Sequence, residues 1–365
     1  MKFLLLTLEY PPTNGGIAHY YSNLSANWPK ANFDVLDNQN NELLDPKLKF
    51  FKWRPSIKNL YRLLKNKDID YLLIGQILPL GASAWLCSFI FKFRYGVFFH
   101  GLDFSLATKG GRKKYLTKLI LKRADKIISA NSYVAKQLKE FLPGSENKTI
   151  IINPALTLRA IQKPNEQLIE KLKQRYDLDS KKIILSIGRL VRRKGFDYSL
   201  QALKQINTDN WVYVIIGDGP DRDYLKQSAG DLFGENYASK IIFTGEIQET
   251  EKAAWLDLAD IFLMPSRNID GDYEGFGIVY LEANAHHKPV IAGDSGGVRD
   301  AVKHGFNGLL INPENPQEIS QAIEKLLNQP ELAKNLGEFG YQRVITYFSW
   351  TKQAKKLYDF LISDK

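Results

Sequence analysis

Three observations predict an α/β protein with two doubly wound parallel sheets. Short apolar segments of strand length alternate with helical patterns along the chain, as expected for a parallel sheet covered on both faces. The alternation is interrupted across 154–164 by a proline-bounded stretch and then restarts. The length of 365 residues exceeds the ~250–300 at which a single core stops growing. These imply two Rossmann-like domains, 1–160 and 165–341, facing each other across a cleft. A final helix over about 342–363 is expected to pack back on the first domain.

The strands are read in order. In the first half they are 2–8, 33–36, 71–75, 95–100, 126–130 and 149–152, each rich in Leu, Ile, Val, Phe or Tyr. Helical patterns lie over 17–28, from 76 to about Phe91, and over 113–123. In the second half the strands are 182–188, 211–217, 241–244, 261–265, 289–292 and 308–311. Helices follow over 196–206 and from Gly277 onward. In open sheets of this kind ligands bind beyond the carboxyl ends of the strands.

A hydrophobic content of 44% with 25% charged residues is that of an ordinary globular protein. The one cysteine, Cys87, excludes an internal disulfide and fits a reducing compartment. The apolar start at 1–8 is cut off by Glu9 and the Pro11-Pro12 pair, so it reads as a first strand and not a leader. The apolar run 82–91 is far below the ~20 residues of a membrane span.

Charge is unevenly placed. Residues 1–150 hold 23 Lys+Arg against 11 Asp+Glu, a net of +12, while 151–365 sum to −2. The excess sits in 47–67, with Lys58, Arg62, Lys65 and Lys67 among its bases, and in 109–126, with Lys113, Lys114 and Lys118. Such a half points to an anionic partner: a membrane surface, an acidic acceptor or nucleic acid.

The most informative segment is 274–282. Glu274 and Glu282 bracket a Gly275-Phe276-Gly277-Ile278 turn that runs into an apolar helix. A turn entering a helix offers free backbone N–H groups and a positive dipole end, which favour a phosphate. Glu282 falls roughly 7 Å into that helix at 1.5 Å per residue. One carboxylate on each side of a bound diphosphate suits a ribose at one end and a hexose at the other.

Arg189 follows a strand directly and Lys194 precedes the next helix, so both cations are expected at the sheet's carboxyl edge, where they can hold a diphosphate. Arg192 and Arg193 read as surface cations. Glycine-bearing turns at Gly15-Gly16, Gly188, Gly217 and 293–297 can each bring N–H groups to an oxyanion or serve as simple turns. His100 and Asp103 follow a strand end, with structural and catalytic roles both open. Asp270-Gly271-Asp272 reads as a polar turn, and the adjacent His286 and His287 would point to different sides of a helix.

Taken together, Gly15-Gly16, His100-Gly101, Gly188-Arg189 with Lys194-Gly195, Gly217-Asp218-Gly219-Pro220, Phe243-Thr244-Gly245, Glu274 with Glu282, and Ser295-Gly296-Gly297 resemble glycosyltransferase family 4. These are retaining enzymes of the GT-B fold. The likeness spans essentially the whole chain, is strongest over 183–312, and is closest to bacterial phosphatidylinositol mannosyltransferases. It implies that Glu282 holds the ribose, that Glu274 contacts the transferred sugar, and that Arg189 and Lys194 grip the diphosphate. The Gly15-Gly16 loop would approach the diphosphate, His100 would lie by the sugar, and 244–247, through Gly245 and Ile247, would lie along the base. It further implies no metal or other cofactor, a nucleotide-sugar donor (GDP-mannose first), and a lipid-linked or glycan acceptor. The location implied is cytoplasmic, peripheral on the inner membrane face through the basic first domain, with no nucleic acid. Two other readings are a sugar-nucleotide epimerase using His100 and Asp103, and a basic nucleic-acid-binding protein.

Overall fold

A computed structural model describes residues 1–13, 15–49, 51–66, 68–157 and 165–363. Lys67 of the first basic stretch and residues 158–164 of the expected connection lie outside the described residues. The chain divides into two compact units. Unit 1 is Met1–Pro154 with Trp350–Lys365, and unit 2 is Ala155–Ser349.

Unit 1 holds strands β1 (Phe3–Leu6), β2 (Phe33–Leu36), β3 (Tyr71–Ile74), β4 (Arg94–Phe99), β5 (Lys126–Ser129) and β6 (Thr149–Ile151). They form one sheet in the order β2-β1-β3-β4-β5-β6, and every pairing is parallel. Apolar residues on both faces of these strands are required because helices cover both sides. Leu4, Leu6, Leu72, Ile74, Val97 and Ile127 supply one core. On the opposite face Phe3 meets Trp28 edge-on at 5.1 Å and packs against Tyr71 and Tyr358.

Unit 2 holds β7 (Lys182–Ile187), β8 (Trp211–Ile216), β9 (Ile241–Gly245), β10 (Ile261–Met264), β11 (Val290–Gly293) and β12 (Gly308–Ile311). Their order is β12-β11-β10-β7-β8-β9, again all parallel. The order reverses at β7, where chains leave the sheet in opposite directions and leave a crevice at the strand ends. Ile184, Tyr213, Ile215, Leu263 and Ile291 pack beneath helices that bring Leu200, Leu203, Ile319 and Ile323. Each such side chain contributes ~1.5–3 kcal/mol when buried.

All twelve expected strands are present, with small differences at their ends. The helices differ more. The one expected to reach Phe91 is an irregular turn over Ile77–Gly81 and a short helix, Ala82–Cys87. The single helix expected over 342–363 is two, Pro330–Tyr347 and Trp350–Ile362. Phe348 breaks it: its ring packs against Phe276 at 5.8 Å and under Arg343. Its carbonyl accepts from the Leu156 N–H at 3.0 Å. The last helix belongs to unit 1, where Trp350 meets Tyr20 and Lys356 Nζ donates to the Ile151 carbonyl at 2.7 Å.

Candidate functional site

The turns leaving β7, β8 and β9 are tied into one platform. The Gly188 N–H donates to Ile216 O at 3.0 Å, Gly217 N–H to Gly245 O at 2.9 Å, and Leu190 N–H to Asp218 O at 2.9 Å. They frame a pocket of about 490 Å³ lined by Arg189, Gly217, Asp218, Gly219 and Glu246. Arg189 is exposed there and has no carboxylate partner among the described residues. Asp218 is engaged by Arg222 at 2.8 Å. Ile247 is half-buried just past β9.

The tight turn Arg192–Lys194 buries the Lys194 side chain and aims it at Glu274. Lys194 Nζ lies 2.5 Å from Glu274 Oε2, and each side chain is only 11% exposed. Arg193, expected as a surface cation, is not one: NH1 is 3.1 Å from the same oxygen and Nε is 3.2 Å from Asp272. Arg192 does stay exposed, stacked 3.5 Å over the Tyr224 ring. Burial by itself would push the Glu274 carboxyl up, but Lys194 and Arg193 outweigh it and hold the group below the usual carboxylate range. Glu274 is therefore an anion in a nearly dry setting.

Its backbone is fixed by the 295–297 turn. The Gly297 N–H donates to Glu274 O at 2.9 Å, and a Cβ on Gly296 would stand 2.5 Å from that oxygen. Only glycine permits so close an approach at φ +57°. The Asp270-Gly271 pair is a tight turn, with Ile269 and Asp272 exchanging N–H···O bonds and both turn residues at positive φ.

Past Glu274 the chain crosses Gly275 and Phe276 to Gly277, which starts the helix Ile278–Ala285 at φ 80°. A Cβ there would lie 2.2 Å from the Tyr280 ring, so the turn demands glycine. No side chain caps this helix, and the N–H groups of Gly275, Phe276, Gly277 and Ile278 find no acceptor among the described residues. Four unpaired donors at a helix start make a binding surface for an anion. The Phe276 side chain itself is buried against Phe348, so only its backbone is available to a ligand. On the same helix Glu282 Oε1 is 3.1 Å from Lys252 Nζ. Lys252, from the helix Glu249–Leu258, also pairs with Glu249 at 2.7 Å. Burial would lower the Lys252 ammonium, but Glu282 and Glu249 raise it above the usual lysine value.

In unit 1, His100 follows β4. Its Nε2 is 2.8 Å from the Tyr21 hydroxyl. The ring lies parallel to Phe98 and edge-on to Tyr20 and Tyr21. Burial lowers its pKa to about 4, so the ring is neutral. Asp103 does not face that ring. Its carboxylate accepts from the backbone N–H groups of His100, Gly101 and Phe104 at 2.8–3.2 Å, so from the first turn of the helix Leu102–Thr108 it ties down the chain that enters that helix and is not a partner for imidazole acid–base chemistry. Gly15 and Gly16 start the helix Gly16–Ala26, with open space around Gly16.

The structure thus joins Lys194 to Glu274, pairs Glu282 with Lys252, and places Arg189 with Gly217 and Glu246 at one pocket. Arg193 and Lys252 escaped the sequence reading. One stood in a run of bases, and the other has no signal beyond its position in the first turn of a helix after β9. His286 and His287 diverge, to Asp257 and Glu338, and among the described residues no group of three or more His, Cys, Asp or Glu is arranged to hold a metal.

The family described as glycosyl transferases group 1 matches residues 169–343. A GDP-mannose-dependent alpha-(1-6)-phosphatidylinositol monomannoside mannosyltransferase of Mycobacterium tuberculosis is 36% identical over 55% of this chain and 53% of its own length. The chain therefore aligns with about half of that relative. An uncharacterized glycosyltransferase of Methanocaldococcus jannaschii is 29% identical over 99% of both chains. Anabaena Alr3699/HepE, crystallised in complex with UDP, shares the fold over all of both chains at a TM-score of 0.79 and 19% identity. Within the second unit, residues 169–343 thus match the group 1 glycosyl transferases, and the chain has a GT-B fold and resembles the phosphatidylinositol mannosyltransferases.

Proposed function

We propose that the chain is a retaining hexosyltransferase that moves a sugar, mannose first, from a nucleoside-diphosphate donor to a hydroxyl of a lipid-linked or glycan acceptor. The observation that carries the reading is the buried Lys194–Glu274 pair beside the four unpaired N–H groups of Gly275–Ile278. A carboxylate kept ionised in a dry setting is suited to accept hydrogen bonds from sugar hydroxyls. The N–H groups, Lys194 and Arg189 are suited to take the negative charge that grows on a departing diphosphate.

In this reading the bond from the sugar's anomeric carbon to the phosphate oxygen breaks with its electron pair passing to the diphosphate. The acceptor hydroxyl oxygen bonds to that carbon from the same face, so configuration is kept, and its proton passes to the departing phosphate oxygen. Glu282, fastened by Lys252, takes the ribose hydroxyls, while Gly245 and Ile247 lie along the base. Gly188 and Gly217 give the backbone clearance beside Arg189. Family resemblance assigns His100 to the transferred sugar and the Gly15-Gly16 loop to the diphosphate. No divalent metal is called for, since cations and amides already answer the leaving group's charge. Donor turnover unaffected by chelator is the expected result.

The acceptor is assigned to the inner, cytoplasmic membrane face on the character of unit 1. The packed helices Ala82–Cys87, Leu102–Thr108 and Gly111–Arg123, with the turn after the first of them, carry Phe89, Ile90, Leu102, Leu106 and Tyr115 exposed, with Arg112, Lys113, Lys114 and Lys118 exposed on the last helix. Apolar side chains together with bases suit an anionic lipid surface. No described helix is long and apolar enough to cross a membrane.

The test is a melting-temperature screen of nucleotide-sugars followed by a transfer assay on a mannolipid acceptor. A ligand that binds only the folded state raises the melting point. If no nucleotide-sugar shifts it and none is consumed, the reading fails. If a donor sugar changes configuration with no acceptor present, the protein is an epimerase instead.

A further inference from the structure

We infer that Tyr21 is a positioning residue that holds the His100 ring as its Nε2–H tautomer and so presents Nδ1 as a fixed hydrogen-bond acceptor for a sugar hydroxyl. The inference deepens the proposed function, on which the identity of the hydroxyl rests.

One chain of contacts fixes where each proton sits. β3 delivers Gly75, whose carbonyl is buried. The Tyr21 hydroxyl donates to it at 2.8 Å, and no other donor reaches that oxygen among the described residues. A buried carbonyl left unpaired is costly, so the single hydroxyl proton is committed there. The same hydroxyl lies 2.8 Å from His100 Nε2. With its own proton spent, Tyr21 can only accept, and the ring must donate through Nε2–H. Burial keeps that ring neutral, and a neutral imidazole carries one N–H. Nδ1 is then a bare lone pair, and it has no partner among the described residues.

The ring is poorly placed to escape this assignment. Phe98 lies parallel to it, 5° from coplanar orientation, and Tyr20 and Tyr21 abut it edge-on at 4.8 and 5.2 Å. Asp103 clamps the His100 backbone N–H at 3.0 Å. A fixed acceptor takes a hydroxyl and rejects a carbonyl or carboxylate at that point.

The experiment is nitrogen NMR of the full chain labelled at histidine, with His100 assigned through His100→Gln. The expected spectrum shows a protonated Nε2 and an unprotonated Nδ1, unchanged from pH 6 to 8. Tyr21→Phe should mix the tautomers and cut turnover about tenfold, the size of one hydrogen bond, yet add no loss in a His100→Ala background. An Nδ1–H or doubly protonated ring in the parent protein overturns the inference. So does an equal loss from Tyr21→Phe with and without His100. If Tyr21→Phe does not fold, the parent spectrum alone decides. If the chain transfers no sugar, the proposed function fails, and the spectrum still reports the tautomer.

Discussion

Unit 1 carries the chain's positive charge, a net of +12 over residues 1–150, while 151–365 sum to −2. Yet the end of β4 in unit 1 holds a neutral histidine wrapped in aromatic rings. The strand ends of unit 2 hold the ion pairs, Lys194 with Glu274 and Arg267 with Asp197. The contrast separates two uses of charge. Exposed lysines on helices act at a distance and are screened beyond a Debye length of ~8 Å at physiological salt. A cation withdrawn from water and aimed by a turn acts on one neighbour, and strongly. Net charge therefore points to the surface a large anion would meet. It does not locate the diphosphate, which the proposed function assigns to the unit with no positive excess.

The contrast is broken most directly at Lys194. Glu274→Gln, Lys194→Ala and Arg189→Ala should each cut turnover at least ~100-fold, as losing a transition-state donor does. Near-parental rates in all three would remove the site from unit 2. Lys194→Ala should also melt earlier, because it removes one of two cations from a buried anion, with Arg193 left on the same oxygen, at a cost of ~1.5–3 kcal/mol. Arg189→Ala, exposed and unpaired, should melt like the parent. Next in size, Glu282→Ala and Lys252→Met should each weaken nucleoside-diphosphate binding about tenfold by calorimetry while leaving turnover at saturating donor nearly unchanged. Unit 1 is then probed by reversing Lys113, Lys114 and Lys118 to Glu. Sedimentation with anionic vesicles should fall several-fold while the nucleotide affinity holds. Equal binding of the parent to anionic and neutral vesicles would end the membrane assignment.

The smallest effect concerns acid. His100 is lowered from 6.5 to about 4, so its contribution is full above pH 6.5 and lost as pH falls toward 4. Burial raises Asp103 from 3.8 to about 6 against its backbone hydrogen bonds, so its contribution is full below 3.8 and lost as pH rises toward 6. Between pH 4 and 6 the two run in opposite directions and largely offset each other. Asp103→Asn keeps an oxygen for the backbone amides and removes one side of that balance. It should lose about 1–2 kcal/mol more than the parent on acidification from 6.5 to 4, measured by urea unfolding. Identical pH profiles would show that the two groups are not linked to folding as described.

Much of the candidate site was legible one residue at a time. Glu274, Gly277 and Glu282 announced a turn into a helix because that geometry is local, and Arg189 and Lys194 announced cations at a strand end for the same reason. Their partners were not legible. Arg193 looked like the middle base of three in a row, and Lys252 like any helix lysine. Asp103 looked like an acid beside a histidine until its oxygens were seen to face backbone amides.

The sequence by itself determined the class: twelve short, mostly apolar strands, their alternation with helices, and the glycines that let chains turn at strand ends. These follow from side-chain period and backbone sterics, which act over a few residues. Only the tertiary structure decided which charge meets which. Lys194 and Glu274 are 80 residues apart, and Lys252 and Glu282 are 30 apart. Such pairs are set by where the sheet order β12-β11-β10-β7-β8-β9 delivers each loop. The break at Phe348 has the same origin, since a helix continues on local grounds until a distant ring and carbonyl offer its backbone better partners.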